Sequence, residues 1–220
     1  MFDRIAPRYD LLNRLLSAGT DVRWRRACID YLEVSAPSRL LDLCTGTADV
    51  LIEFLGRHPG HHGVGLDFSG EMLGRASVKL RPFHARASLA RADAEQLPMR
   101  EGTFDAATMA FGIRNVQDPG RALGEVRRAL RPGGRLVVLE FSTPGGLLGG
   151  LYGVYSRYVL PRVGALISGD RGAYAYLPAS IRRFPEPDAF LGMLRNAGFG
   201  HVARRPLTGG IAQLYRGERV

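Results

Sequence analysis

The stretch RLLDLCTGTADV, residues 39–50, decides how the rest of the chain is read. Its first six residues are mostly apolar around a single Asp42, as expected of a strand buried on both faces, and such strands belong to parallel sheets. Gly46 then permits a tight turn, and a helical pattern runs over residues 48–58. A strand that turns through glycine into a helix brings backbone N–H groups close to any ligand. The turn lacks the G-x-G-x-x-G of a pyrophosphate site: it has one glycine and two nearby carboxylates, Asp42 and Asp49. Such carboxylates are poorly placed for phosphate but suit a cationic ammonium or sulfonium. The loop residues Thr45, Gly46 and Thr47 are therefore candidate ligand contacts, although an ordinary strand-to-helix turn has the same outline.

The alternation continues outward. Upstream, residues 8–17 and 22–34 read as helices; downstream, strands at 63–67, 87–93, 104–111 and 134–142 are interleaved with helices at 70–80 and 119–130. Strands alternating with helices of about 10 residues predict a doubly wound, mostly parallel α/β sheet. After Pro144 the pattern lapses into glycine and tyrosine until Pro187. A helix (187–197) and two strand-like runs (199–206 and 210–216) joined by Gly-Gly then predict an antiparallel C-terminal hairpin. The expected organisation is one domain over 1–220: a helical cap (1–36), a core (37–143), a lid (144–186) and a C-terminal return to the core (187–220).

Composition sets outer bounds. With 220 residues, 45% apolar, the chain can bury a full core. The formal charge of +9 would suit an anionic partner, but Lys79 is the only lysine, and so arginine-rich a bias is weak evidence for one. Cys28 and Cys44 form no CxxC and no zinc-ligand spacing, which argues against a disulfide framework or a structural metal. The N-terminus MFDRIAPRYD has no apolar targeting core, so a cytoplasmic location is expected. Residues 147–167 are interrupted by Arg157, Pro161 and Arg162 and do not read as a membrane span.

In a doubly wound sheet the ligand lies outside the carboxyl ends of the strands. The second strand ends at Asp67, placed to bond ribose hydroxyls, with Phe68 beside it to pack on an adenine face. The third ends in RADAEQLP, where Asp93 would accept from an adenine amino group and Ala94 offers a backbone N–H. Each feature alone is weak, since Asp67 would cap the next helix equally well. Three strand ends in order, with carboxylates at the first loop, fit S-adenosylmethionine.

The stretches LLDLCTGTADV, GLDFSGEML, ADAEQLPMREGTFD and LRPGGRLVVLEFS resemble the motifs of class I S-adenosylmethionine-dependent methyltransferases. More narrowly, YDLLNRLLSAGTDVRW (9–24), FGIRNVQD (111–118) and RALRPGGRLVVLEFS (128–142) resemble the UbiE/COQ5 quinone C-methyltransferases of menaquinone and ubiquinone synthesis. The resemblance extends over essentially the whole chain. It implies a Rossmann-like fold with N-terminal helices and a substrate lid, S-adenosylmethionine as cofactor, and a prenylated quinol as substrate, with 2-demethylmenaquinol preferred; the alternative is a methyltransferase for another small phenolic or lipid substrate, which shares fold and cofactor and differs in what the lid admits. Tyr9 would fold over the cofactor or quinol ring, and Ala110 would meet the cofactor where a serine is frequent. Ala48 stands in a usual glycine position, tolerable if the residue is already helical. Asp21 stands where histidine is frequent.

The chemistry sets its own demands. Methylating a quinol carbon requires electron density that loss of a neighbouring hydroxyl proton supplies, and a phenol has a pKa of about 10. Arg114 in FGIRN is expected to stabilise the oxyanion, since arginine stays protonated. Asn115 would be its partner and Asp49, directly or through water, the proton acceptor, with Gly112 making the turn that aims Arg114 inward. The tyrosines 152, 155, 158, 174 and 176 would line a lid for the prenyl tail, and Arg157, Arg162, Arg182 and Arg183 would face anionic lipid. Peripheral membrane contact is thus expected, a homodimer stays open, and nucleic acid is disfavoured because FGIRN replaces the Asn/Asp-Pro-Pro-aromatic loop of base N-methylation.

Overall fold

The computed structural model describes residues 14, 17, 19–146, 149–150, 153 and 171–220, with the backbone alone at 171–175 and 177. In chain order the main elements are α1 (Thr20–Leu32), β1 (Arg39–Leu43), α2 (Asp49–Arg57), β2 (His62–Asp67), α3 (Gly70–Lys79), β3 (Ala87–Arg91), β4 (Phe104–Ala110), α4 (Pro119–Ala129), β5 (Leu130–Phe141), α5 (Arg171–Arg183), α6 (Pro187–Asn196), β6 (Phe199–Leu207) and β7 (Ala212–Arg219). They build a seven-stranded sheet of order β3-β2-β1-β4-β5-β7-β6. Neighbours from β3 to β5 are parallel, and β7 is antiparallel to both β5 and β6. The doubly wound reading and the C-terminal hairpin both hold.

Burial follows the pleat. Leu40, Ala106, Val137 and Leu139 face one side and pack with Trp24, Leu32 and Phe54 of α1 and α2. Leu41, Ala107, Leu136 and Val138 face the other, with Leu123 and Val126 of α4 and Phe190 of α6. β1 thus has both faces covered, which explains its apolar run, and each fully buried leucine contributes about 1.5–3 kcal/mol. Local signals fix the helix starts. Ser69 caps α3 by accepting from Met72 N, and Asp118 caps α4 by accepting from Arg121 N with Pro119 in the first turn.

One difference concerns the region past Pro144. Residues 171–183 form a helix that the sequence pattern does not announce, because Gly172, two tyrosines and an internal Pro178 disguise its period. Tyr9, most of the 8–17 helix and most of the stretch 147–167 lie outside the described residues. Among the described residues no helix is long and apolar enough to cross a membrane, and no cluster could hold a metal ion.

Candidate active site

Because β1 lies between β2 and β4, the chain leaves the sheet in opposite directions at this point and opens a crevice at the strand ends. A cleft of about 360 Å³ there is lined by Asp67, Phe68, Asp93, Ala94 and Asn115, among others. A smaller recess of about 30 Å³ is lined by Arg25, Asp42, Thr45, Thr47 and Asp49. Cys44, Gly46, Ala110 and Phe111 line both. Every cofactor candidate within the described residues therefore borders one space or the other, and Tyr9 lies outside them.

The loop between β1 and α2 is shaped by alternate left-handed residues, Cys44 (φ 50°), Gly46 (φ 55°) and Ala48 (φ 68°). Ala48 is not helical, as its tolerance had required; it is the left-handed residue preceding α2, a conformation costing an L-residue about 1–2 kcal/mol. The loop is tied to β2: Thr45 N donates to Leu66 O at 2.9 Å, and Gly46 N donates to Asp67 Oδ2 at 2.8 Å. The other Asp67 oxygen accepts from Ser69 N. Asp67 therefore joins two loops while lining the cleft. Phe68 is 68% exposed at the lip, with the Arg91 guanidinium 5.3 Å from its ring centroid.

Asp42 is more enclosed than its sequence position suggests. The β1–β4 register sets it opposite Thr108, and its carboxylate accepts from Thr108 Oγ1 at 2.7 Å and Thr45 Oγ1 at 2.6 Å. Burial pushes its pKa up to about 6 against the pull of those hydroxyls. Asp42 thus supports the loop from below as well as supplying charge to the recess.

Asp49, read from sequence as the proton acceptor, is engaged otherwise. Lys79 Nζ donates to its Oδ1, and Arg25 NH1 lies 3.4 Å from Oδ2. Arg25 in turn is 2.5 Å from Asp21, which gives Asp21 a structural partner on α1. Both Asp49 oxygens thus face cations, one from α1 and one from α3, which ties the start of α2 to both helices. In this position Asp49 anchors the loop.

The stretch after β4 also needs correction. Phe111, with φ 57°, makes the turn, whereas Gly112 has φ −109°. Glycine is required at 112 for space, because a Cβ there would lie 2.3 Å from Cys44 Cβ. Residues 113–115 then form a single 3-10 turn. Arg114 does point inward, but beneath the turn: NH1 donates to Glu140 Oε1 at 2.5 Å and to Phe111 O at 2.7 Å, over the Phe141 ring. Its side chain is 7% exposed and lines neither described cleft. The guanidinium Nε is buried with no hydrogen-bond partner. The guanidinium that the sequence reading aims at a substrate oxyanion is thus engaged by Glu140 and Phe111 O, and Asn115 of the same turn lines the larger cleft.

Two further residues complete the arrangement. Glu140 is fully buried in β5; burial raises its proton affinity and the Arg114 guanidinium opposes that. The signal was present in LVVLEF, since an acid inside the most apolar strand needs a buried partner. Tyr176 of α5 donates its hydroxyl to Asn115 Oδ1 at 3.0 Å, while Asn115 Nδ2 donates to Phe111 O at 3.3 Å. The thiols of Cys28 and Cys44 are free, and burial strongly favours their neutral form, so neither resembles an activated nucleophile.

Comparison with known proteins places the chain in a family and agrees with the fold. The chain is 54% identical over 220 residues to a ubiquinone/menaquinone biosynthesis C-methyltransferase UbiE of Syntrophotalea carbinolica, covering all of this chain and 92% of that one. It is 50% identical to a demethylmenaquinone methyltransferase of Thermus thermophilus, with both chains covered in full. A solved S-adenosylmethionine-dependent methyltransferase of Thermotoga maritima shares the fold with a TM-score of 0.69 at 20% identity, covering 100% of this chain and 98% of that one. Residues 1–219 match the description of one family throughout, and the chain belongs to the ubiE/COQ5 methyltransferase family.

Proposed function

We propose that this chain transfers the methyl group of S-adenosylmethionine to a ring carbon of a prenylated quinol, converting 2-demethylmenaquinol to menaquinol. The observation that carries the reading is the adjacency of the two clefts, which share Cys44, Gly46, Ala110 and Phe111 as lining residues. Asp67, Phe68 and Asp93 border the larger end, a cationic-group recess with Asp42 lies at the other, and Asn115 faces the larger cleft near Ala110 and Phe111, which border both. An adenosyl group in the first and an amino-acid group in the second leave the sulfonium methyl near that junction.

In this reading Asp67 bonds the ribose hydroxyls, Phe68 covers the adenine, Asp93 and Ala94 hold its edge, and Thr45 to Thr47 enclose the methionine end. Asn115 bonds the quinol oxygen, and Arg114 sets the turn that carries it. The quinol hydroxyl gives its proton to water, the neighbouring ring carbon attacks the methyl as the S–CH3 bond breaks and S-adenosylhomocysteine leaves, and that carbon then loses its own proton to solvent as the ring regains aromaticity and the oxygen is reprotonated. Placing methyl and carbon about 3–3.5 Å apart is the main contribution of the site. Tyr9 and the 144–186 lid would close over the acceptor, and Arg182 and Arg183, both exposed at the end of α5, would meet anionic headgroups at the inner membrane face. The acceptor is a lipid and no nucleic acid is involved.

The test incubates purified protein with methyl-labelled S-adenosylmethionine and demethylmenaquinol in liposomes, followed by mass spectrometry. Label in menaquinol is expected; label in added RNA or a water-soluble phenol, with none in the quinone, overturns the reading.

A further inference from the structure

All but one of the 30 basic residues are arginine, and the exception is Lys79. A bias that strong removes lysine wherever arginine serves equally well, so the position that keeps one has a reason to need an ammonium.

The geometry supplies that reason. Lys79 ends α3, and its Nζ donates to Asp49 Oδ1 and, at 3.1 Å, to Thr47 Oγ1. These two residues flank Ala48, whose left-handed backbone (φ 68°, ψ 24°) is the costly point of the loop. A residue in such a conformation persists only where its surroundings over-determine it. One ammonium gripping the residue before and the residue after does so. An arginine would not substitute, because its planar fork matches the two oxygens of a single carboxylate, whereas the second Asp49 oxygen already faces Arg25 at 3.4 Å. A compact charge with three divergent donors fits a hydroxyl and one carboxylate oxygen.

We propose that Lys79 is a positioning residue for the amino-acid end of the cofactor: by holding Thr47 and Asp49 on either side of Ala48, it keeps the small recess in the shape that accepts the methionine ammonium and carboxylate. The proposal rests on the reading of this site as an S-adenosylmethionine site. Lys79 is not among the residues lining either described cleft, so its effect passes through the loop.

The test is calorimetric titration of Lys79→Arg, Lys79→Met and the neighbouring control Arg81→Lys with two probes. S-adenosylmethionine reports both ends of the site, and 5′-methylthioadenosine carries the adenosyl part without the amino-acid group. Both Lys79 variants should weaken S-adenosylmethionine binding by about tenfold, the scale of one lost charge-assisted hydrogen bond. Their affinity for methylthioadenosine and their ligand-free melting temperature should stay unchanged, and Arg81→Lys should alter nothing. Wild-type affinity in Lys79→Arg overturns the proposal, as does equal loss of both probes or a collapse of ligand-free stability, either of which makes Lys79 a general fold residue. Failure of the wild-type protein to bind either probe instead overturns the reading of the site.

Discussion

The Arg114 guanidinium and the Glu140 carboxylate lie 2.5 Å apart and almost wholly out of water, beneath a turn whose Asn115 lines the larger cleft. Charge at this point is neutralised from within, and the pair holds the shape of the turn. Removing one partner of a buried pair strands the other and typically costs about 3–5 kcal/mol. Glu140→Ala should therefore lower unfolding stability by that order, measured by denaturant titration, and lower kcat with it. Glu140→Gln, which keeps the size and an acceptor oxygen but leaves the Arg114 charge uncompensated, should recover only part of the stability and part of kcat. Equal stability of Glu140→Ala and wild type would show that the pair holds nothing together.

Asp42 predicts a pH dependence. Burial raises its folded pKa from 3.8 to about 6. For a raised group the stability it contributes is present below the unfolded value and lost as pH rises through the folded one. Ligand-free stability should therefore decline between about pH 4 and pH 6 on account of this residue, and Asp42→Asn should flatten that part of the curve. Cofactor binding runs the opposite way. A cation favours the ionised carboxylate, so the Kd for S-adenosylmethionine should fall as pH rises through about 6, and calorimetry on Asp42→Asn should show no such slope.

Ala48 predicts a stabilising substitution. In a left-handed conformation glycine avoids about 1–2 kcal/mol of steric cost, partly offset by the greater freedom it gives the unfolded chain. Ala48→Gly should gain on the order of 0.5 kcal/mol, read as a small rise in melting temperature at unchanged cofactor affinity. A loss of stability would mean that the loop does not hold Ala48 at φ 68°.

These sites differ in how far the sequence announces them. Asp42, Asp67 and Asp93 are legible because parallel strands bring successive carboxyl ends together, so position along the chain predicts position in space. The direction of Arg114 is not legible in the same way. FGIRN places it at a strand end, but which way the guanidinium turns depends on Glu140, which lies on the neighbouring strand and 26 residues on. Lys79 on Asp49 and Tyr176 on Asn115 are likewise long-range contacts between helices and loops, and no local period reports them. The lone acid in LVVLEF and the single lysine were the available signals, and both lie in composition rather than in pattern.

Tyr176 links the region beyond Pro144 to the turn under the cleft. Its hydroxyl donates to Asn115 Oδ1, which leaves the amide nitrogen to serve Phe111 O and the cleft. Loss of a neutral hydrogen bond costs about 0.5–1.5 kcal/mol. Tyr176→Phe should lower kcat by roughly twofold to tenfold while cofactor affinity is kept, as steady-state kinetics beside calorimetry would show. Weakened cofactor binding at full kcat would place Tyr176 outside the acceptor side of the site.

Gly112→Ala separates space from flexibility at the same turn. Since φ at 112 is −109°, alanine suffers no backbone penalty there, and any effect must come from crowding. The new methyl would sit 2.3 Å from Cys44 Cβ and 2.7 Å from its Sγ, inside any tolerable contact. Because Cys44 belongs to the β1 loop and Gly112 to the β4 turn, relief requires the two loops to part, widening the boundary shared by both clefts. Overpacking of this kind costs about 1–3 kcal/mol, and both cofactor affinity and kcat should fall. Cys44→Ala combined with Gly112→Ala removes the clashing sulfur but keeps the Cβ contact, so it should restore only part of the loss. Full restoration would show that the sulfur alone, and not the approach of the two backbones, demands glycine at 112.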